Sequence, residues 1–190
     1  MIVLCGKTAS GKDTIQKQLM LKGMKSIVSY TTRPPRQGEV DGVAYHFISQ
    51  EEFLKKQESN FFAESTSYNV ASGETWYYGS AIEDLTDDKV VILNPEGVKE
   101  IKKIATLNPK IFYIIADEDT IWNRLRSRGD NSEEARRRLN ADDEDFKGID
   151  KYIDFAIRNE GLISPEEIAE MILYLYERTK KDEDKISVCV

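Results

Sequence analysis

The chain has 190 residues, 40% of them hydrophobic and 32% charged. This length is enough to bury one sizeable core and predicts a single compact domain. Its formal net charge of −7 argues against a general nucleic-acid-binding surface, because such a surface needs a basic face. No apolar run approaches the length of a membrane span, and no charged segment with a cleavage site opens the chain, so we expect a cytoplasmic protein without a membrane partner.

The N-terminal segment combines an apolar run with a glycine-bounded loop. Residues 2–5 predict a buried strand, the loop follows directly, and Ile15 and Leu19 continue with helical spacing. In a P-loop, backbone N–H groups and the positive end of the following helix face an anion, while the lysine reaches the outer phosphates. The segment predicts a nucleoside triphosphate site, although glycine turns also occur without ligands because they need positive φ. The residues predicted to bind this triphosphate are Gly6, Lys7, Thr8, Ala9, Ser10, Gly11, Lys12, Asp13 and Thr14.

Asp13 stands where the strict P-loop pattern has a serine or threonine whose hydroxyl coordinates Mg²⁺, and Thr14 follows it. Mg²⁺ prefers oxygen ligands and is often held by one or two carboxylates plus phosphates. One interpretation therefore places Asp13 and Thr14 at a Mg²⁺ site. In the other, Asp13 only caps the helix or pairs with a lysine.

Further elements follow in chain order. A serine followed three residues later by a glutamate predicts helices after Ser49 and after Ser164. Strands are predicted near residues 2–5, 25–29, 43–48, 61–64, 89–93, 110–115 and 155–158. The last helix is predicted to bury one face that carries Ile168, Met171, Ile172, Leu175 and Tyr176.

Residues 30–80 differ from both flanks, because they combine short strand-like pieces, turn residues and aromatic side chains without an alternating strand-helix rhythm. We interpret them as a mostly β lobe inserted into a parallel α/β core. The expected division is a core of residues 1–29, 81–123 and 141–179, the lobe 30–80, a lid 124–140 and a charged tail 180–190.

Residues 28–42, followed by Tyr45-His46-Phe47, resemble the nucleoside-monophosphate-binding segment of guanylate kinases. The resemblance spans nearly the whole chain, since the P-loop, Glu64, residues 77–80, Gly97-Val98, an arginine-bearing lid and Asn159 occur in the family's order. It implies a three-layer α/β/α P-loop kinase with a parallel sheet, an inserted monophosphate-binding lobe and a helical lid. It also implies a monomer or homodimer that transfers the γ-phosphoryl group of ATP to GMP or dGMP with Mg²⁺.

The resemblance also implies roles for single residues. Guanidinium forks suit a phosphate dianion, and the Glu64 carboxylate would accept from both N1–H and the 2-amino group of guanine, a pair that adenine lacks. The residues implied for GMP binding are Ser29, Arg33, Arg36, Tyr45, Glu64, Tyr78, Ser80 and Asn94. Those implied for catalysis are Lys12, Arg124, Arg128 and Arg138, and Asn159 is implied for ATP binding.

Several positions depart from the family pattern. Ile92 and Asn94 occupy the places of two aspartates, and Asn94 before Pro95 equally fits a helix N-cap. An insertion lies within residues 69–76, and one residue is missing before Arg138, so that Arg137 competes for its role.

Two other functions stay open from the sequence. One is a related small-molecule kinase that acts on another deoxynucleotide or on a ribose phosphate. The other is a catalytically inactive guanylate-kinase-like interaction domain, against which the intact Gly6, Gly11 and Lys12 argue.

Overall fold

The structure is a computed structural model that describes residues 1–36, 38–69, 73–104 and 106–187, with side chains up to residue 181. Its strands are β1 (Ile2–Cys5), β2 (Lys25–Ser26), β3 (Tyr30–Thr31), β4 (His46–Phe47), β5 (Phe62–Asn69), β6 (Thr75–Ala81), β7 (Lys89–Ile92), β8 (Lys110–Ile115) and β9 (Phe155–Arg158). Its α-helices are α1 (Lys12–Leu21), α2 (Gln50–Glu58), α3 (Pro95–Lys102), α4 (Glu118–Ser127), α5 (Ser132–Asp145) and α6 (Pro165–Ser187). None of these helices has the length and hydropathy of a membrane span.

The larger sheet has five strands in the order β2-β7-β1-β8-β9, and every neighbouring pair is parallel. Successive side chains of a strand point to opposite faces, so Val3 and Cys5 enter one core cluster while Ile2 and Leu4 enter another. Because both faces are buried, β1 is apolar throughout, as is usual for a strand inside a parallel sheet.

Helices cover both faces of this sheet. Ile15 of α1 and Ile172 of α6 pack against Ile2 and Leu4, while Ile101 of α3 packs on the opposite face. This arrangement confirms the predicted three-layer α/β/α core with a parallel sheet.

Helix α6 differs from its prediction in two respects. Ile168, Ile172 and Tyr176 are buried, but Met171 is 37% exposed, so its predicted place in the core is wrong. The reason is that the buried stripe follows residues four apart and is flanked by Ala169 rather than Met171. The helix also continues to Ser187, through most of the predicted charged tail, and residues 188–190 lie outside the described part.

The second sheet takes its strands from residues 30–81, in the order β4-β3-β6-β5. Strand β5 is longer than the predicted 61–64 because it pairs with β6 as far as Asn69↔Thr75, a strand that local patterning did not single out. The predicted strands 43–48 and 25–29 shorten to the two-residue β4 and β2. Of the insertion predicted within 69–76, residues 70–72 lie outside the described part.

Helix α2 holds this sheet through one ring. It begins where predicted, since Ser49 Oγ accepts a hydrogen bond from Glu52 N at 3.1 Å. Phe53 is fully buried, stacks on Phe62 with ring centroids 4.4 Å apart, and lies 5.4 Å from the Tyr77 ring. Phe53 therefore ties α2 to both β5 and β6.

Replacing Phe53 with alanine is expected to lower the free energy of unfolding by about 3–5 kcal/mol, because the change leaves a cavity between α2 and the sheet. Chemical denaturation measures this value. The matched control is Leu54→Ala, since Leu54 is adjacent but 36% exposed, and it should cost less than about 1.5 kcal/mol. Equal losses in the two variants would contradict the role given to Phe53.

Candidate active site

The loop between β1 and α1 depends on two glycines that allow close approach. Gly6 and Gly11 have φ of 153° and 97°. A Cβ atom on Gly6 would lie 2.4 Å from the backbone oxygen of Ile114, and one on Gly11 would lie 2.3 Å from Nδ2 of Asn159. Any side chain here would push the loop away from the end of β8 or from Asn159, so the glycines fix where the loop runs.

Lys12 lies at the centre of this loop. Its Nζ donates to the backbone oxygens of Gly6 at 2.6 Å and Lys7 at 2.9 Å. Burial lowers the pKa of this ammonium, while the negative charges of Asp13 and Asp142 act in the opposite direction. Lys12 is therefore a largely desolvated cation that the loop's own carbonyls satisfy in part.

Arg124 and Asn159 bind the remaining loop carbonyls. Nη1 of Arg124 donates to the oxygens of Ala9 and Ser10 at 3.1 Å each, and its Nη2 donates to Asn159 O at 2.8 Å. The buried Asn159 side chain donates to Ser10 O at 2.8 Å. Through these contacts Arg124 and Asn159 support the loop, and the catalytic role implied for Arg124 stays a prediction.

A cavity of about 650 Å³ opens between the loop, the second sheet, the start of α3 and helix α5. It brings together these predicted site residues: Gly6, Thr8, Lys12, Ser29, Tyr45, Glu64, Tyr78, Asn94 and Arg138. Four polar lining residues were not predicted from the sequence: Thr66, Tyr68, Asp142 and Asp145. Spacing identifies the first two, because residues two and four positions after Glu64 share its face of a strand.

Glu64 is a nearly buried carboxylate in this cavity, with 8% of its surface exposed. Burial raises its pKa, and hydrogen bonds with Ser80 oppose that shift. The Ser80 hydroxyl lies 3.1 Å from the Ser29 hydroxyl, so the three side chains form one polar row. Such a row offers hydrogen-bonding groups to a planar ligand edge.

Asn94 completes the wall beside Glu64. Its Oδ1 accepts from Gly97 N at 2.8 Å, which confirms the N-cap interpretation. Its Nδ2 donates to the Tyr68 hydroxyl at 3.0 Å and to Thr66 Oγ1 at 3.4 Å. Asn94 therefore caps α3 and also links the core to β5 at the cavity wall.

Arg33 and Arg36 do not belong to the described lining of the cavity. Arg33 is 4% exposed, and its Nη2 donates to both carboxylate oxygens of Glu39 at 2.9 Å. Glu39 also accepts from Arg36 N at 2.7 Å, while the side chain of Arg36 is exposed. The Arg33 guanidinium lies 5.5 Å from the ring centroid of Tyr45, so it supports a residue that does line the cavity.

Helix α5 contributes two arginines to the cavity. Arg137 binds Glu134 through Nε and Nη2 at 2.8 Å each, and Arg138 Nε binds the same carboxylate at 2.9 Å. Glu134 is thereby held beside two cations, which lower its pKa to about 2. Since both arginines line the cavity, both remain candidates for the same role.

A second cavity, of about 320 Å³, lies on the other side of the loop. It gathers predicted residues that are absent from the first cavity's described lining: Ala9, Gly11, Asp13, Thr14, Arg124, Arg128 and Asn159. Arg128 is held there by an ion pair with Asp130. Ser10 is buried inside the loop, and Lys7 pairs with Asp143 of α5.

The chain is similar to guanylate kinases in sequence and in structure. The family model described as guanylate kinase matches residues 1–173. The guanylate kinase of Clostridioides difficile is 34% identical over 181 residues, which cover 90% of this chain and 86% of that protein. The guanylate kinase of a Nostoc species is 31% identical over 92% of this chain and 89% of that protein. The crystal structure of guanylate kinase from Anaplasma phagocytophilum superposes with a TM-score of 0.64 at 24% identity, covering 94% of this chain and 85% of that one.

The burial of Glu64 predicts a stability that depends on pH. A carboxyl group with a raised pKa in the folded state lowers stability at high pH, and this cost disappears as the pH falls below its ordinary value of 4.5. Glu64→Gln should therefore raise the free energy of unfolding at pH 7 by about 1 kcal/mol, and the difference should vanish near pH 4. Denaturation at several pH values measures this.

The control for that series is Glu83→Gln, because Glu83 is exposed. Its stability should follow that of the unmodified protein at every pH. A Glu64→Gln variant that is less stable than the unmodified protein at pH 7 would contradict this prediction. It would show that hydrogen bonds to the carboxylate outweigh the cost of burying its charge.

Proposed function

The chain belongs to the guanylate kinase family, and we infer that it transfers the γ-phosphoryl group of ATP to GMP, forming ADP and GDP. The observation that carries this inference is the buried Glu64 carboxylate in a cavity that also contains the P-loop lysine. Guanine presents two adjacent N–H donors to such an acceptor pair. Adenine would leave the buried charge unsatisfied, which is a strong basis for selection.

The phosphate of GMP is proposed to lie near Tyr45 and Tyr78, whose side chains line the cavity. The exposed guanidinium of Arg36 is free to supply a planar fork to this dianion. Nη2 of Arg33 is already paired with Glu39, and its guanidinium lies over the Tyr45 ring. Arg33 therefore holds Glu39 and the Tyr45 ring in place when no nucleotide is bound.

Catalysis is proposed to rest on positioning and charge neutralisation, since transfer to an ionised phosphate needs little covalent help from the protein. Lys12 and the backbone N–H groups of the loop bind the triphosphate, and Arg138 or Arg137, together with Arg128, approach the transferred group. Arg124 and Asn159 keep the loop carbonyls turned away from it. Closure of lobe and lid excludes water, which would otherwise accept the phosphoryl group.

Mg²⁺ is the expected cofactor, and Asp13 with Thr14 would hold it together with the nucleotide phosphates. Both line one cavity at the loop, and the charge of Asp13 is close enough to raise the pKa of Lys12. Among the described residues, no group of three His, Cys, Asp or Glu side chains forms a metal cage. This fits a cation that keeps most of its waters and arrives with phosphates. When bound, it neutralises charge on the phosphate oxygens.

The alternatives are weaker on these contacts. An inactive interaction domain has no need for a desolvated lysine inside an intact glycine loop. Either GMP or dGMP is expected as the acceptor, and a cytoplasmic location and a monomer or homodimer stay predictions.

The activity itself is tested by ADP release with a panel of GMP, dGMP, AMP and CMP. GMP or dGMP should give the highest kcat/KM, and Glu64→Gln should lower it by a factor that corresponds to about 1–3 kcal/mol, because one buried charge-assisted bond is lost. The AMP rate should change much less. Comparable GMP and AMP rates in the unmodified enzyme would contradict the proposal, and activity confined to a ribose phosphate would favour the related kinase.

The Mg²⁺ assignment is tested with Asp13→Ala. Under our proposal, this change raises the Mg²⁺ concentration needed for half-maximal rate by about tenfold, since a ligand or an anchor for a bound water is lost. The matched control is Asp119→Ala, because Asp119 also lies in the first turn of a helix, α4. Both variants should lose a similar 0.3–1 kcal/mol, roughly, of helix stabilisation. An unchanged Mg²⁺ dependence in Asp13→Ala would remove Asp13 from the metal site.

A further inference from the structure

The last turns of α5 contact the P-loop directly. Oδ2 of Asp142 accepts a hydrogen bond from the backbone N–H of Thr8 at 2.6 Å. The next residue, Asp143, pairs with Lys7. Helix α5 thus crosses the expected lid boundary at residue 140, and its end is fastened to the loop that binds phosphates.

Asp142 accepts a backbone N–H that a nucleotide phosphate would accept in this loop. Thr8 lies in the middle of the glycine-bounded loop, where backbone N–H groups face an anion. The negative charge of Asp142 also raises the pKa of Lys12, so the carboxylate is near the second phosphate-binding group. Both Asp142 and Lys12 line the main cavity.

We propose that the carboxylate of Asp142 occupies the phosphate-binding position of the P-loop, its cradle, when no nucleotide is bound, and that ATP displaces it. This inference rests on the proposed function only in assuming that the P-loop accepts nucleotide phosphates. A carboxylate and a phosphate cannot both accept the Thr8 N–H at this distance, and their negative charges repel each other. Binding of the triphosphate therefore breaks the contact between Asp142 and Thr8.

Displacement of Asp142 also moves the arginines of the lid. Arg138 lies four residues before Asp142 and so shares its face of α5. When the carboxylate leaves the loop, the helix rotates or shifts, and Arg138 moves with it. The contact thus couples the arrival of ATP to the repositioning of α5, and the pair of Arg138 with Glu134 moves with that helix because both residues belong to it.

The expected effect follows from competition. Only molecules in which Asp142 has left the P-loop can bind ATP. The apparent affinity for ATP is therefore the intrinsic affinity multiplied by the fraction of such molecules. Removing the carboxylate should therefore tighten ATP binding by about three- to tenfold. A residue that assisted binding would have the opposite effect.

The experiment is calorimetric titration of ATP in the presence of EDTA, so that no metal contributes. The proteins are the full chain, Asp142→Ala, Asp142→Asn and the matched control Asp145→Ala. Asp145 lies on the same helix and lines the same cavity with the same charge, but the described contacts include none between it and the loop. Both Asp142 variants should bind ATP about fivefold more tightly, and Asp145→Ala should change affinity less than twofold.

Hydrogen exchange at the Thr8 amide gives an independent readout. Without nucleotide it should be faster in Asp142→Ala than in the unmodified protein, and with saturating ATP the two should agree. The asparagine variant keeps the shape of the side chain and tests the proposal if Asp142→Ala fails to fold.

Unchanged or weaker ATP binding in the Asp142 variants would overturn the proposal, as would equal tightening in Asp145→Ala, which would show a general charge effect. Titration of GMP alone separates this inference from the proposed function. Failure of GMP to bind any of the proteins would count against guanylate kinase activity, while the comparison of ATP affinities would still decide the role of Asp142.

Discussion

A buried carboxylate, Glu64, and a half-buried ammonium, Lys12, face one cavity, and most features of the site follow from this constraint. Burial raises the pKa of Glu64 and lowers the pKa of Lys12, so each group is pushed towards its neutral form in the ligand-free protein. Ser80 and the loop carbonyls compensate these charges only in part. Glu64 can accept N–H donors and Lys12 can bind an anion, and a guanine nucleotide carries both kinds of group.

The parallel sheet explains how these groups meet. The P-loop follows β1, Asn94 follows the adjacent β7, and Asn159 follows β9, so the carboxyl ends of the strands deliver all three to one edge. At this edge Arg124 and Asn159 bind loop carbonyls, which leaves loop N–H groups for an anion. The inserted sheet then brings Glu64 to the same cavity, and Asn94 joins the two parts through Tyr68 and Thr66.

The sequence was informative where function depends on local pattern, and less so where it depends on pairing across the fold. The glycine loop, the helix caps and the order of family motifs predicted the core and nearly half of the cavity lining. Strand β6 was missed because its partner β5 stabilises it, and the pairing of Arg33 with Glu39 was not predicted because it is not visible in a local pattern. Asp142 had no signal at all, since its role comes from a contact 134 residues away.

Selection of the base is expected to depend on the pairing of Glu64 with two of its donors. Inosine monophosphate tests it directly, because it keeps the N1–H and the phosphate of GMP but lacks the 2-amino group. The measurement is kcat/KM for both nucleotides with the unmodified enzyme under identical Mg²⁺ and ATP. The account predicts a preference for GMP of about a hundredfold or more, because one acceptor of a buried carboxylate would be left unpaired. Equal kcat/KM for the two nucleotides would contradict it.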